Sequence, residues 1–207
     1  FLPERHVLRE PLSPHRAAEL DGVEIDVADL NLPAGIPDGR FLIVEGAGGV
    51  LVPLNRRTLQ IDLFARWRAP VIVVARTALG TINHTLLTLE ALKRRAVPIQ
   101  GVVFVGDAMP DSERTIADFG QVNILGRLPV LPALNTTALR DAFAVLGRHT
   151  TERTLVDAAV RRARKRHAVV FEFDDGGVGV NAKGRSHTEI NGLAAVRSRK
   201  ECHNQPV

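Results

Sequence analysis

The stretch FLIVEGAGG at residues 41–49 constrains the fold of this chain more than any other. Its four leading apolar residues show no polar alternation, which is typical of a strand buried on both faces of a parallel sheet. Glu45 stands at the end of this predicted strand, and only glycines and an alanine follow it. Ligands of open α/β sheets bind beyond the carboxyl ends of the strands, where small residues let the backbone approach closely.

A carboxylate at such a strand end suits a hard cation such as Mg²⁺ that is held against phosphate oxygens. Glu45 is therefore a candidate metal ligand. The same residues also fit a plain turn in which Glu45 caps the strand and the glycines merely change the chain direction. This stretch alone leaves both interpretations open.

Strand and helix patterns alternate along most of the chain. Strands are predicted at 41–44, 71–75, 97–105 and 123–126, and helices at 58–67, 81–95, 111–119 and 135–146. This order predicts an α/β fold in which helices flank a parallel sheet and the crossovers are right-handed. Further along, the sequence allows a basic helix at 151–167 and a strand at 168–173, and it predicts disorder at 181–207.

The composition narrows the class of protein. Apolar residues make up 45% of the 207 residues, which is enough for a sizeable core. The sequence contains no run of 18 apolar residues, so we expect no transmembrane helix. The single cysteine, Cys202, excludes a disulfide framework and favours a reducing compartment, so we expect a cytoplasmic protein. Residues 1–150 are neutral overall, and all of the net charge of +4 lies in residues 151–207.

Two further stretches are candidate binding sites. The segment LGTINH at 79–84 follows a strand and opens a helix, so its free backbone N–H groups favour a carboxylate or a phosphate. An ordinary helix start fits these residues equally well, and His84 fits a surface or packing position better than a catalytic one. The predicted strand ends at 105–107 and 129–131 lie on the same edge of the sheet as Glu45. They could border a flat base such as adenine, and they fit plain loops as well.

The basic run at 161–167 has no interleaved aromatic residues, so a solvated helix face is favoured and a nucleic-acid partner is not expected. The chain contains no GxxxxGK[ST] phosphate loop.

Taken together, the motifs resemble the dethiobiotin synthetase family, whose members are ATP-dependent enzymes of biotin synthesis. The resemblance covers about residues 1–148. It rests on PLSPHRAAE at 11–19, VEGAGGVLVPLN at 44–55, PVIVVARTALGTINHTLLTLEAL at 70–92, GVVFVGDAMPDSERTI at 101–116 and LGRLPVLP at 125–132.

The resemblance implies a P-loop NTPase-like fold, a homodimer, ATP and Mg²⁺ as cofactors, and closure of a ureido ring from 7,8-diaminononanoate and CO2. Carried over by motif, Glu45 would bind Mg²⁺. The nucleotide would contact Glu45, Gly46, Ala47, Gly48, Val105, Gly106, Pro129, Val130 and Leu131. The substrate carboxylate would lie at Leu79, Gly80 and Asn83, reached across the dimer.

The chain also departs from the family. Val105 and Gly106 stand where the family often has Asn-Asp. The family's phosphate loop, its catalytic lysines and its second acidic metal ligand would precede Phe1, so we expect a truncated chain with no catalytic residue of its own and no activity alone. We divide it into a partial enzyme domain at 1–148 and a basic, partly disordered extension at 149–207.

Two other functions remain open from the sequence. One is a cobyrinate-type ATP-dependent amidoligase, which shares the sheet architecture. The other is a non-enzymatic interaction protein with a basic tail.

Overall fold

The computed structural model of the chain describes residues 5–34, 41–46, 48–149, 167–172 and 194–196. Five α-helices and a short 3₁₀ turn lie at α1 Pro14–Asp21, Val27–Asp29 (3₁₀), α2 Gln60–Trp67, α3 Thr81–Arg94, α4 Pro110–Gly120 and α5 Thr136–His149. Six strands lie at β1 Phe41–Gly46, β2 Val71–Arg76, β3 Ile99–Val105, β4 Ile124–Leu128, β5 His167–Glu172 and β6 Ala194–Val196. The predicted alternation of strands and helices is therefore confirmed.

The six strands form one sheet in the order β4-β3-β2-β5-β1-β6. All neighbouring pairs are parallel except β1 and β6, which pair antiparallel at the edge of the sheet. Each parallel crossover from β1 to β4 carries one helix, as parallel connections require. The α/β fold class predicted from the sequence is thus confirmed.

Strand β5 lies in the middle of the sheet, between β1 and β2. Its Val170 is level with Glu45 on one side and with Ile72 on the other. A strand at 168–173 was expected, but nothing in its sequence indicated this central position. The prediction of disorder over 181–207 is wrong for Ala194–Val196, which pair with β1. The division of the chain at residue 148 remains a prediction, although the part beyond it supplies two strands to this sheet.

The main core lies between the sheet and the helices on its faces. It contains the inward residues of β1, β2 and β3 together with buried side chains of α2, α3 and α4, among them Phe64, Leu89, Leu92, Phe104 and Ile116. Burying each such side chain contributes about 1.5–3 kcal/mol to folding. A smaller cluster of Leu8, Ala17, Ala18 and Ile25 packs under α1.

Local hydrogen bonds set several helix boundaries. Helix α2 begins at Gln60, two residues later than predicted, because the Asp62 carboxylate accepts a hydrogen bond from the backbone N–H of Leu59 at 2.9 Å. The chain turns at residues 50 and 51, where the Val52 N–H donates to the Gly49 carbonyl at 3.0 Å, and Pro53 then forms an isolated bridge with Leu59. At the start of α5, the Asn135 side chain accepts a hydrogen bond from the N–H of Ala138 at 2.9 Å, which caps the helix.

Helix α1 is joined to the loop after β1 by charged side chains. Arg56 donates two hydrogen bonds to the Glu19 carboxylate, and Arg16 donates another at 3.2 Å. These hydrogen bonds, the one with Arg56 contributing most and the one with Arg16 next, lower the pKa of Glu19 to about 2. The ionised carboxylate of Glu19 is therefore part of the contact between α1 and this loop.

Candidate functional site

The carboxyl ends of the five parallel strands meet at one edge of the sheet, which we call the ligand edge. Glu45 is the penultimate residue of β1, and its side chain is exposed at this edge. Gly46, the last residue of the strand, is buried. Ala47, which was also predicted to contact the nucleotide, lies outside the described residues. The structure therefore leaves the Glu45 carboxylate accessible, as a metal ligand requires.

The chain turns sharply after β1, and Gly48 makes the turn possible. Its φ of +73° lies in the left-handed region that favours glycine, and a Cβ there would lie 3.2 Å from Cγ2 of Val52. The following loop is held by backbone hydrogen bonds, in which Ile61 N–H donates to the Val50 carbonyl and Gln60 N–H donates to the Val52 carbonyl. The glycine turn beside Glu45 is thus anchored to the start of α2.

Among the described residues, no group of three or more His, Cys, Asp and Glu side chains forms a metal site. Mg²⁺ is commonly bound by one or two carboxylates together with water and substrate phosphates. A single accessible carboxylate at the end of a parallel strand fits that kind of site. The role of Glu45 as a metal ligand stays a prediction.

The start of α3 leads away from the ligand edge beyond β2. Gly80 has a φ of +93°, and the N–H groups of Thr81 and His84 donate to the carbonyls of Ala78 and Gly80. The N–H groups of Ile82 and Asn83 find no acceptor within the part of the chain that the structure describes. Together with the positive end of a helix of 14 residues, they present a surface that favours an anion.

The predicted substrate contacts at this helix start are accessible. Leu79 is 100% exposed, and Gly80 and Asn83 are exposed as well. His84 is exposed as well, in agreement with the surface position predicted for it. Whether Leu79, Gly80 and Asn83 contact a substrate stays a prediction.

A small cavity lies between the end of β2 and the first turns of α3. It holds about 10 Å³ of space for a water molecule and is lined by residues that include Ala75, Ala78, Thr81 and Thr85. Thr85 is only 1% exposed, and its hydroxyl has no hydrogen-bond partner in the described structure. The sequence analysis did not single out Thr85. The sequence does place Thr85 on the same helix face as Leu89 and Leu92, and this spacing could have indicated that its hydroxyl is buried.

The ends of β2, β3 and β4 are joined by close backbone contacts. The N–H of Gly106 donates to the Leu128 carbonyl at 2.9 Å, and the N–H of Thr77 donates to the Val105 carbonyl at 2.9 Å. Gly106 has a φ of +126°, and a Cβ there would lie 2.3 Å from the Thr77 hydroxyl oxygen. This close approach requires glycine. The packing of the sheet therefore explains the glycine at position 106 without any contact to a nucleotide.

The loop after β3 is held by a charged pair that the sequence analysis missed. Arg127 Nη1 donates to the Gly106 carbonyl at 3.4 Å, and its Nε lies 3.2 Å from Glu113 Oε1. The same Glu113 oxygen accepts a hydrogen bond from the Met109 N–H. No spacing rule connects residues on β4 and α4, so this pair was visible only in the structure.

The register of the sheet shows how far apart the candidate residues lie. Glu45 is level with Ile72, four residues before the end of β2, which is about 13 Å along the strand. Strand β3 is three strand spacings from β1, about 14 Å across the sheet. The structure thus brings Glu45, Gly106 and the start of α3 to one edge, but it does not bring them into contact.

The residues after β4 complete the ligand edge. Pro129 and Val130 are exposed, and Leu131 is partly buried. They lie one strand beyond Val105 and Gly106, as the predicted base site requires. Their contact with a base stays a prediction.

Comparison with known proteins relates the chain to a family of enzymes. A family model described as an AAA domain matches residues 1–138. An ATP-dependent dethiobiotin synthetase of Novosphingobium aromaticivorans is 60% identical over 143 residues, which are 69% of this chain and 68% of that protein. The corresponding enzyme of Rhodopseudomonas palustris is 58% identical over 144 residues, 70% of this chain and 66% of that protein. That of Agrobacterium fabrum is 59% identical, with the same coverage. The chain spans about two thirds of the length of these relatives.

Proposed function

Because this chain belongs to the dethiobiotin synthetase family, we propose that it acts in the ATP-dependent closure of the ureido ring from 7,8-diaminononanoate and CO2. The observation that carries this proposal is the ligand edge. There an accessible carboxylate, an anion-favouring helix start and two open strand ends lie on the same side of one parallel sheet. The high identity to these enzymes favours this reaction over that of an amidoligase.

The reaction balances in three steps. One amine of the substrate adds to CO2 and loses a proton, which forms a carbamate. A carbamate oxygen then attacks the γ-phosphorus of ATP, and ADP leaves. The second amine attacks the carbamate carbon, phosphate leaves with the C–O bond electrons, and the amine loses its proton as the cyclic urea forms.

Glu45 is the residue that we assign to the metal. Bound Mg²⁺ would neutralise charge on the phosphate oxygens during transfer. The turn at Gly46, Ala47 and Gly48 would place backbone beside the nucleotide because no large side chain intervenes there. The half-buried Val105 and Gly106 and the segment Pro129–Leu131 would border the base.

The start of α3 is the part that we assign to the substrate carboxylate. The N–H groups of Ile82 and Asn83 point out of the helix start, and the helix dipole favours an anion there. Asn83 would add a side-chain amide donor, and the exposed Leu79 would pack against the aliphatic chain of the substrate. This arrangement suits an amino acid with a long apolar spacer between its carboxylate and its amines.

We assign the exposed apolar side of α3 to a second copy of the chain. Leu87 is 56% exposed and Leu79 is fully exposed on this helix and its approach, although Leu is normally buried. Such a surface supports a homodimer in which α3 of one copy reaches the site of the other. Within the described residues, no helix is both long and apolar enough to cross a membrane. A cytoplasmic location is proposed from the single cysteine and the use of ATP.

The test is Mg²⁺-dependent ATP binding by calorimetry with Glu45→Gln. Removing the carboxylate charge should weaken Mg·ATP binding by about tenfold or more, by analogy with the loss seen for residues that support a bound metal. The matched control is Glu90→Gln, which removes an exposed carboxylate from the middle of α3. Equal affinities for the two variants would contradict the assignment of Glu45.

A further inference from the structure

The cavity under the start of α3 contains a buried hydroxyl that nothing in the described chain satisfies. Thr85 is 1% exposed, and its Oγ1 makes no hydrogen bond in the described structure. A threonine inside a helix often donates to the carbonyl four residues earlier, but Thr85 does not do so here. Buried polar groups are nearly always paired with protein or with ordered water, so this hydroxyl calls for a partner.

The cavity has the size and the chemistry for one water molecule. Its volume of about 10 Å³ corresponds to the space that one water requires. It is lined by Thr81, Thr85 and His84 from α3 and by residues 75, 76 and 78 from the end of β2 and the following loop. A water there would be surrounded by polar groups of α3 and of the segment that follows β2, which could hydrogen-bond to it. A wholly apolar cavity of this size would stay dry.

We propose that Thr85 binds one ordered water in this cavity and is thereby a positioning residue for the carboxylate site at the start of α3. This inference rests on the proposed function for the identity of the carboxylate. The water links the hydroxyl to the loop that carries Leu79 and Gly80, so it holds the first turn of α3 in the conformation that presents its free N–H groups. Thr85 itself touches no substrate atom in this proposal.

The test compares Thr85→Val with Thr85→Ser. Valine keeps the approximate shape of threonine and removes the hydroxyl, so a water in the cavity loses its hydrogen bond to residue 85 and should no longer be held in an ordered position. Serine keeps the hydroxyl. High-resolution crystal structures should show the water in the wild-type chain and in Thr85→Ser, and should not show it in Thr85→Val.

Calorimetry with 7,8-diaminononanoate then tests the positioning role. Thr85→Val should bind it about threefold to tenfold more weakly, the effect of losing one bridging hydrogen bond, and Thr85→Ser should recover most of the affinity. The melting temperature of Thr85→Val should stay close to that of the wild type. That result separates positioning from stability, because a purely structural role would alter stability and leave affinity alone.

The outcomes distinguish this inference from the proposed function. An empty cavity in a chain that binds diaminononanoate, or equal affinity for wild type and Thr85→Val, overturns the inference and leaves the function intact. A wild-type chain that holds the water and binds no diaminononanoate overturns the proposed function, and the binding role of Thr85 with it.

Discussion

Replacing Gly106 by alanine should destabilise the chain through one identifiable contact. The φ of +126° is unfavourable for any residue with a side chain, at a cost of about 1–2 kcal/mol. The new Cβ would also lie 2.3 Å from the Thr77 hydroxyl oxygen, far inside contact distance. Overpacking of this kind costs about 1–3 kcal/mol, so we expect a total loss of about 3 kcal/mol in the free energy of unfolding.

The double variant Gly106→Ala/Thr77→Ala separates the two causes. Thr77→Ala alone removes a long hydrogen bond from the hydroxyl to the Val105 carbonyl, 3.3 Å, and should cost about 0.5–1 kcal/mol. In the double variant the nearest atoms to the new Cβ are the Cβ and the backbone nitrogen of residue 77, both at 3.6 Å, which is ordinary contact. The backbone strain remains but the overlap is gone. The two substitutions should therefore couple favourably by about 1.5 kcal/mol.

Urea unfolding followed by the fluorescence of Trp67, the single tryptophan, measures all four proteins of the cycle. The unfolding slopes should agree, so that differences in midpoint report stability alone. Additive losses, or a Gly106→Ala variant within about 0.5 kcal/mol of the wild type, would show that the approach of Gly106 to Thr77 is not as tight as described.

Two further predictions concern pH and assembly. Because Arg56 and Arg16 lower the pKa of Glu19 to about 2, against 4.5 in the unfolded chain, the stability from this ionised carboxylate is fully present above pH 4.5 and is lost as the pH falls toward 2. The melting-temperature difference between wild type and Glu19→Gln should accordingly be larger at about pH 6 than at about pH 2.5, and a difference that is the same at both would contradict this account. Leu87→Arg should convert the dimer to a monomer in sedimentation experiments. The monomer should stay folded because Leu87 is 56% exposed in the single chain. The control is Leu20→Arg on α1, at another exposed leucine, which should leave the dimer intact. Dimers of unchanged strength in Leu87→Arg would remove this side of α3 from the proposed interface.

Much of the fold follows from local patterns. Uninterrupted apolar runs predicted β1 and β2, and a largely apolar segment predicted β3. The apolar spacing of α3 predicted that helix to within a residue of its observed end. The position of Glu45 at the end of a buried strand was also predictable, because strand burial and strand polarity follow from the sequence of one segment. The common edge of Glu45, Gly106 and Gly80 followed from the parallel order alone.

The pairing of distant segments was decided only by the tertiary structure. Strand β5 lies between β1 and β2 although 90 residues separate it from β2. A short apolar run carries no information about which strands it will pair with. The contact between Gly106 and Thr77 and the pair of Arg127 with Glu113 likewise join residues from different elements.

The sequence by itself determined which residues form strands and helices, and at which end of each strand the small and charged residues stand. The tertiary structure alone decided which strand lies in the centre of the sheet, why Gly106 has no side chain and why the Thr85 hydroxyl is enclosed. The physical reason is that periodicity records which face of an element is buried, whereas strand order and close contacts depend on packing between segments that are far apart in the chain.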